Sequence, residues 1–327
     1  MYVDKTSTNL FTSSSLHFNH PTESETIRIW NQTSNDWEDA FTVPQYLEEN
    51  AYLLTVSLAR NNSITEWILI DNNQPADKRT VLASWETFLK RALFSDSDGK
   101  CEEVIAHGIA SVYCEPGLRK LGYASRLLKD MLYSDIDPGF YQRLGWNPFP
   151  SYHLEFEPKV TPYGATPLYA EDLAALCGKD EAILRTLFSE PSTESRPRFA
   201  VVPDHDHLVW HHSKEEFGAQ RLFSKIPLVK GAIAGPPGNR VWAIWMHRFY
   251  RHLDSRDSSA NILYILRFVI EDRAPAAGDV RAIFQAAQTD AAEWELGKES
   301  IPCLQWYRGD GLPSTLDWVL NEKYAWS

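Results

Sequence analysis

The longest β-like run in the first half of the chain, Val104 to Cys114 (VIAHGIASVYC), is cut off by Glu115-Pro116-Gly117, and Arg119-Lys120-Leu121-Gly122-Tyr123-Ala124 then opens a helical stretch. Pro and Gly both end a ladder, so the strand must stop where the helix starts. A helix N-terminus presents backbone N–H groups that lack an intrahelical partner and carries the positive end of the macrodipole. The junction is therefore an anion site in sequence form, suited to a pyrophosphate. Gly122 has no Cβ to hold a phosphate off, Ala124 is small where helix meets strand, and Arg119 adds a positive charge.

Around this junction the pattern reads as α/β, in an α+β order. Extended runs are expected at Thr26 to Trp30, Trp67 to Asp71, Val81 to Arg91 and Met131 to Ser134. Helices are expected at Val43 to Asn50 and Tyr123 to Asp130, with a further turn at Phe140 to Leu144. After a Pro-bounded linker the second half predicts helices at Ala170 to Cys177 and Glu181 to Ser189. Strands follow at Arg240 to His247 and Asn261 to Ile270, then an amphipathic helix at Asp279 to Glu295 and a strand at Ile301 to Tyr307. This order repeats that of the first half, so we expect a leader over 1–25, a first domain over 26–158 and a second, degenerate copy of the same fold over 161–327. The Ser/Thr-rich leader lacks both the apolar core of a secretory signal and the Arg-rich face of a transit peptide, and is read as disordered.

A length of 327 residues allows two cores, and no run approaches the roughly 18 apolar residues of a membrane-spanning helix. No membrane partner is expected. The formal charge of −12 disfavours nucleic acid, whose phosphates demand a Lys/Arg surface. Cys101, Cys114, Cys177 and Cys303 form no C-x-x-C pair, which points away from zinc and disulfides and toward a reducing, cytoplasmic compartment.

With Phe140-Tyr141-Gln142-Arg143-Leu144-Gly145-Trp146 following the next strand, the combination resembles the GNAT superfamily of N-acetyltransferases. The cofactor loop of that superfamily reads Gln/Arg-x-x-Gly-x-Gly/Ala, and its next helix carries Tyr-x-x-x-Gly-Phe. Further segments are similar to the fungal lysine N6-acetyltransferases of lysine catabolism: Val81 to Arg91, His107 to Val112, Leu132 to Ile136, Asn147 to Ser151, Trp210-His211-His212, Asn239 to Trp245 and Asn321 to Tyr324. The resemblance implies a GNAT fold with a mixed central sheet followed by a second GNAT-like lobe. It also implies acetyl-CoA as co-substrate, no metal, and transfer of acetyl to the side-chain amine of free L-lysine. Carried over to this chain, it implies that the backbone of Val112, Tyr113 and Cys114 pairs with pantetheine amides. Arg119, Lys120, Leu121, Gly122, Tyr123 and Ala124 would hold the pyrophosphate, and Tyr141 would act as general acid toward the leaving sulfur. Three departures stand out: a short helix after Ala124, a missing strand and helix between Trp294 and Ile301, and Lys120 where Gly is commoner.

An ammonium must lose its proton before it can attack a thioester, so a base is required. His107 on the long strand, Glu86 in the apolar run Trp85-Glu86-Thr87-Phe88, and the carboxylate of Ser327 are the candidates. Arg240 and Arg267 are candidate cations for a substrate carboxylate. His205, His207, His211 and His212 read as loop and surface residues, and Trp242, Trp245, Phe249 and Tyr250 as core. The alternatives are an acetyltransferase for another amine (a polyamine, an aminoglycoside or a protein lysine) and an acyl-CoA-binding protein without turnover.

Overall fold

The computed structural model describes residues 16–71, 74–121, 123, 153–193, 195–252, 260–271, 275–302 and 317–320. The first half runs β1 (Leu16–Asn19), α1 (Glu23–Trp37), α2 (Val43–Leu53), α3 (Ser57–Arg60), β2 (Ile64–Asp71), β3 (Val81–Ser95) and β4 (Cys101–Tyr113), then a single 3₁₀ turn at Pro116–Leu118. The second half runs β5 (His153–Phe156), β6 (Thr166–Leu168), α4 (Ala170–Ser189), β7 (Arg198–Val201), α5 (His205–Phe223), β8 (Gly231–Ala234), β9 (Val241–Arg248), β10 (Ile262–Ile270), α6 (Ala277–Glu293), β11 (Lys298–Pro302) and β12 (Asp317–Leu320).

Two mixed sheets result. In the first, β1, β2, β3, β7 and β12 lie side by side, with β4 on the other edge of β3. One edge of β3 is shared: Val81 to Phe88 pair antiparallel with β2, and Ala92 to Ser95 pair antiparallel with β7. The second sheet runs β5-β11-β10-β9-β8-β6. Only its β10–β11 ladder is parallel among the described pairs, with α6 as the crossover. The sheets thus exchange segments across the expected division, since β7 and β12 complete the first sheet while β5 joins the second.

Both faces of the second sheet are covered, which is why Val241 to Met246 (VWAIWM) shows no polar alternation. Val241, Ala243 and Trp245 pack under α6 with Ile283, Ala286 and Ala287. Trp242, Ile244 and Met246 pack under α4 and α5 with Leu173, Leu176 and Leu208. On the first sheet, Ile29 of α1 seats on Ile68 and Ile70, while Trp67 and Trp85 stack at 6.0 Å on the opposite face.

Several local readings are corrected. Thr26 to Trp30, expected as extended, lies inside α1, because Thr22 and Glu25 form a reciprocal capping box that starts a helix at Glu23. Part of the stretch expected as a disordered leader is folded: β1 pairs with β2, and buried Glu25 bonds Arg79 at 2.8 Å. The two helices expected on either side of Gly178 are one, α4. A helical Gly costs only about 1 kcal/mol against Ala, far less than the packing of Leu184 and Phe188 recovers. The histidines after Asp204 are helical, and His207, His211 and His212 are buried. The last expected strand starts earlier, at Lys298, and directly follows α6 through a short buried connection at Trp294 and Leu296. The readings over 124–150 lie outside the described residues, including the helix to Asp130, the strand at Met131 to Ser134 and the turn at Phe140 to Leu144.

Asp180 of α4 and Arg267 of β10 form a buried two-point ion pair at 2.6 and 2.7 Å that ties α4 to the second sheet. Asp180→Asn removes the anion from this buried pair and should cost about 3–5 kcal/mol. Urea denaturation followed by circular dichroism measures it, and a loss below about 1 kcal/mol would show that the pair is not structural.

Candidate functional site

The β3–β4 ladder carries one irregularity. Ser84 pairs with Tyr113 and Glu86 with Ala110, so Ser111 and Val112 together oppose Trp85. Ser111 takes a left-handed φ of 54°, as an inserted residue in a bulge does. The bulge turns the Ser111 hydroxyl onto Glu86, to which it donates a hydrogen bond of 2.7 Å.

Glu86 stands directly across the ladder from Glu66 of β2. Both carboxylates line a pocket between the sheet and two helices, about 280 Å³ with open solvent included. Ile29, Trp30, Thr33 and Trp37 of α1 form one wall, Tyr46 and Asn50 of α2 a second, and Ser84, Trp85 and Ser111 complete the sheet side. The Thr26 hydroxyl donates to Glu66 at 2.6 Å. Burial pushes the Glu66 carboxyl up to about 7, against the Thr26 bond and with help from the charge of Glu86. Burial also raises the Glu86 carboxyl, opposed by the Ser111 bond and the Lys214 ammonium. Two carboxylates held this way near neutral pH can attract an ammonium and accept its proton.

The free side of β4 adjoins this pocket. Among the described residues β4 pairs only with β3, so no described strand meets the other edge of Ile109 to Tyr113. An amide-bearing chain can add to such an edge as a strand does, and the pantetheine arm has this chemistry. The Val112 and Cys114 side chains pack with Leu82 and Ile109, whereas Tyr113 meets Trp37 edge-on at 6.0 Å. The Cys114 thiol donates to Leu82 O at 3.3 Å, and burial pushes it up, so it remains a thiol at neutral pH.

Arg119 folds back on the end of β4, donating to Cys114 O at 2.9 Å and lying 3.7 Å from Asp36 of α1. Lys120 has a left-handed φ of 67°, a conformation a glycine adopts without strain, so this position carries local strain of about 1–2 kcal/mol. Leu121 is exposed, and Tyr123 packs beside the Leu82 and Ile109 cluster. Gly122, Ala124, Tyr141 and Ser327 lie outside the described residues.

The structure separates two of the sequence candidates. His107 pairs with Leu89, one residue out of phase with Glu86 and Ala110, so strand parity puts it on the opposite face, where it is exposed. It is not part of the carboxylate pocket. Arg240 and Arg267, considered for a substrate carboxylate, are each committed elsewhere: Arg240 to Glu271 at 2.8 Å and Arg267 to Asp180. Sequence reasoning missed Glu66, Ser111 and the aromatic wall of α1. Only the wall had a readable signal, the Thr22–Glu25 capping box.

Among the described residues no group of three or more His, Cys, Asp or Glu is placed to hold a metal ion, and no helix is long and apolar enough to cross a membrane.

No curated protein sequence matches the chain. Of solved structures, Eis1 from Mycobacterium abscessus aligns at 12% identity with a TM-score of 0.40, over 88% of this chain and 65% of the Eis1 chain. The chain thus spans a little under two thirds of that protein. A tandem GNAT protein from the clavulanic acid biosynthesis pathway aligns at 12% identity and a TM-score of 0.40, over 88% of this chain and 89% of its own. A family model described as the LYC1 GNAT-like C-terminal domain matches residues 151–298 and 295–327, more than half of the chain. The protein, a mixed α/β chain, therefore belongs to the family described as the LYC1 GNAT-like C-terminal domain.

Proposed function

We propose that the chain is an acetyl-CoA-dependent N-acetyltransferase that acts on the side-chain amine of free L-lysine, by direct attack in a ternary complex. A role in lysine degradation in the cytoplasm fits the free thiols of Cys101, Cys114 and Cys177. Residues 26–158 would carry the cofactor site and 161–327 the second lobe, with β7 and β12 lent back to the first sheet.

The Glu66–Glu86 pair carries the reading: two directly opposed carboxylates in an aromatic-walled pocket that includes Ser111 of β4, a strand whose second edge meets no other described strand. An ammonium is drawn to the carboxylates, in a pocket whose wall includes Trp30 and Trp37. Glu86, with one oxygen held by Ser111, takes the proton that the amine must lose, and Glu66 sets how readily it does so. When bound, acetyl-CoA supplies the acetyl thioester. The backbone of Val112, Tyr113 and Cys114 would hold its amides. Arg119, Lys120, Leu121, Gly122, Tyr123 and Ala124 would surround its pyrophosphate. Tyr141 is proposed from the sequence pattern alone as the proton donor to the leaving sulfur.

A thiol-release assay with acetyl-CoA and a panel of L-lysine, a polyamine, an aminoglycoside and a lysine peptide tests the activity. Free L-lysine should be the fastest acceptor, and a peptide turned over as fast would replace the catabolic reading with protein acetylation. Binding of acetyl-CoA with no thiol release on any amine would leave a non-catalytic acyl-CoA-binding protein. Glu86→Gln should lower kcat by roughly 10²- to 10⁴-fold with acetyl-CoA affinity kept within about twofold, as for a lost general base. Parent-level kcat in that variant would remove Glu86 from the chemistry.

The pair also predicts a pH dependence. The base must be ionised, so kcat/KM should rise with pH along an acid limb displaced upward from the ordinary carboxylate range, a limb that belongs to the two carboxyls together. Glu66→Gln removes the carboxyl coupled to Glu86 and should move that acid limb to lower pH. An unmoved limb would mean that Glu66 does not act on the base.

A further inference from the structure

The buried face of α2 divides between two pockets. Tyr46 and Asn50 line the carboxylate pocket, whereas Glu49 lines a second pocket with Asp39, Lys214, Glu215, His247 and Arg248. Glu49 follows Tyr46 by three residues, about 4.5 Å of helix rise, and is next to Asn50, so the two pockets flank one stretch of α2 that a side chain of four methylenes can span. The pockets are also linked electrostatically. The charge of Lys214 acts on Glu86, and that of Glu49 acts on both Tyr46 and Arg248.

The second pocket balances its charges. Burial opposes the charge on His247, yet Asp290 and Glu215 hold it protonated with a pKa raised to about 9. Burial likewise opposes ionisation of Glu215, yet the His247 bond and the charges of His247 and Lys230 hold it at about 2. Three anions therefore face three cations at neutral pH. The Glu215–His247 pair, 2.5 Å apart with both side chains fully buried, is a fixed floor. The other four groups form two ion pairs at the mouth, Arg248–Asp39 at 2.5 Å and Lys214–Glu49 at 2.6 Å, with Arg248, Asp39 and Lys214 partly exposed. Arg248 keeps a buried Nε donor that has no acceptor among the described residues. A net-neutral pocket of paired opposite charges suits a ligand head that is itself neutral overall and carries both signs. A simple anion or cation would leave one sign in excess.

We propose that this pocket is the head-group subsite for a free α-amino acid: Arg248, with Lys214 beside it, reads the α-carboxylate, and Asp39 and Glu49 take the α-ammonium, while the side-chain amine reaches Glu66 and Glu86 beneath the same face of α2. The assignment rests on the carboxylate pocket being the amine site proposed above. It replaces Arg240 and Arg267 as carboxylate readers.

Calorimetry with two ligands tests the subsite independently of turnover: L-lysine, and 1,5-diaminopentane, which has the same chain and terminal amine but no carboxylate. The parent protein should bind L-lysine at least tenfold more tightly than the diamine. Arg248→Gln should lose L-lysine affinity at least tenfold more than it loses diamine affinity. Because both ligands are measured on the same variant, a general loss of folding would weaken both together and is read apart from a loss of the subsite. Equal binding of the two ligands by the parent, or an equal proportional loss in the variant, overturns the subsite. Thiol release with lysine alongside equal binding would leave acetyl transfer standing and the subsite refuted. The expected binding pattern without thiol release would support the subsite and refute acetyl transfer.

Discussion

The structure depends on the unequal lengths of β3 and β2. β3 has 15 residues and β2 has 8, and the ladder between them ends where Ile64 meets Phe88. Beyond that point Ala92 to Ser95 would present an unpaired edge inside the protein, at about 1–3 kcal/mol for each buried group left unsatisfied. β7, from the second half, fills the edge. Because α5 follows β7 directly, this pairing also fixes where α5 can run. Trp210 meets Phe88 edge-on at 5.4 Å, and Lys214 reaches Glu49 of α2 at 2.6 Å. The wall that α5 gives the second pocket, with Lys214, Glu215 and Gly218, is therefore a consequence of one strand completing another.

The carboxylate pair is set apart by what surrounds it. Elsewhere in the described chain, buried acids are bonded to cations: Glu25 to Arg79, Asp180 to Arg267, Glu215 to Lys230 and His247, Glu271 to Arg240 and Lys179. Glu25, Glu215 and Glu271 are held below the usual carboxylate range in consequence. Glu66 and Glu86 have hydroxyl partners and each other, and burial raises both. A fold that compensates its other buried acids yet leaves two opposed carboxyls without a bonded cation carries a standing electrostatic cost. Such a cost is kept where a ligand or a proton relieves it.

How much of this was legible in the sequence depends on whether the signal was local. β3, β4, β9 and β10 were readable because their runs are long and apolar, and α2 because Pro44 sits at its start. α1 was misread since Thr26, Ile27 and Ile29 are β-branched, while the capping box three residues earlier carried the better signal. Glu86 could be picked out as a carboxylate in an apolar run. Glu66 could not, because its importance comes from facing Glu86, and register between strands is not a local property. The same limit applied to His107, whose face is decided by pairing with Leu89. The histidines of α5 looked exposed as a polar cluster. In the fold His212 donates to Trp245 O at 3.0 Å, and His207 is bound by Asp204 at 2.9 Å, so each ring is buried with a partner.

The bulge in β4 ties the two halves of the proposed chemistry together. Two residues, Ser111 and Val112, oppose one on β3, and the extra residue does two things at once. It swings the Ser111 hydroxyl to Glu86, fixing one oxygen of the proposed base. It also bends the strand at the point where its other edge is unpaired among the described residues, and where the backbone proposed to receive pantetheine begins at Val112. Donor edge and base are thus set by adjacent residues of one strand, about 3.3 Å apart along the chain. Their separation is fixed by covalent geometry and the ladder to β3, and it does not rely on the packing of one lobe against the other. In the proposed arrangement the second lobe would meet the acceptor's far end, through α5 and β9, rather than the reacting atoms.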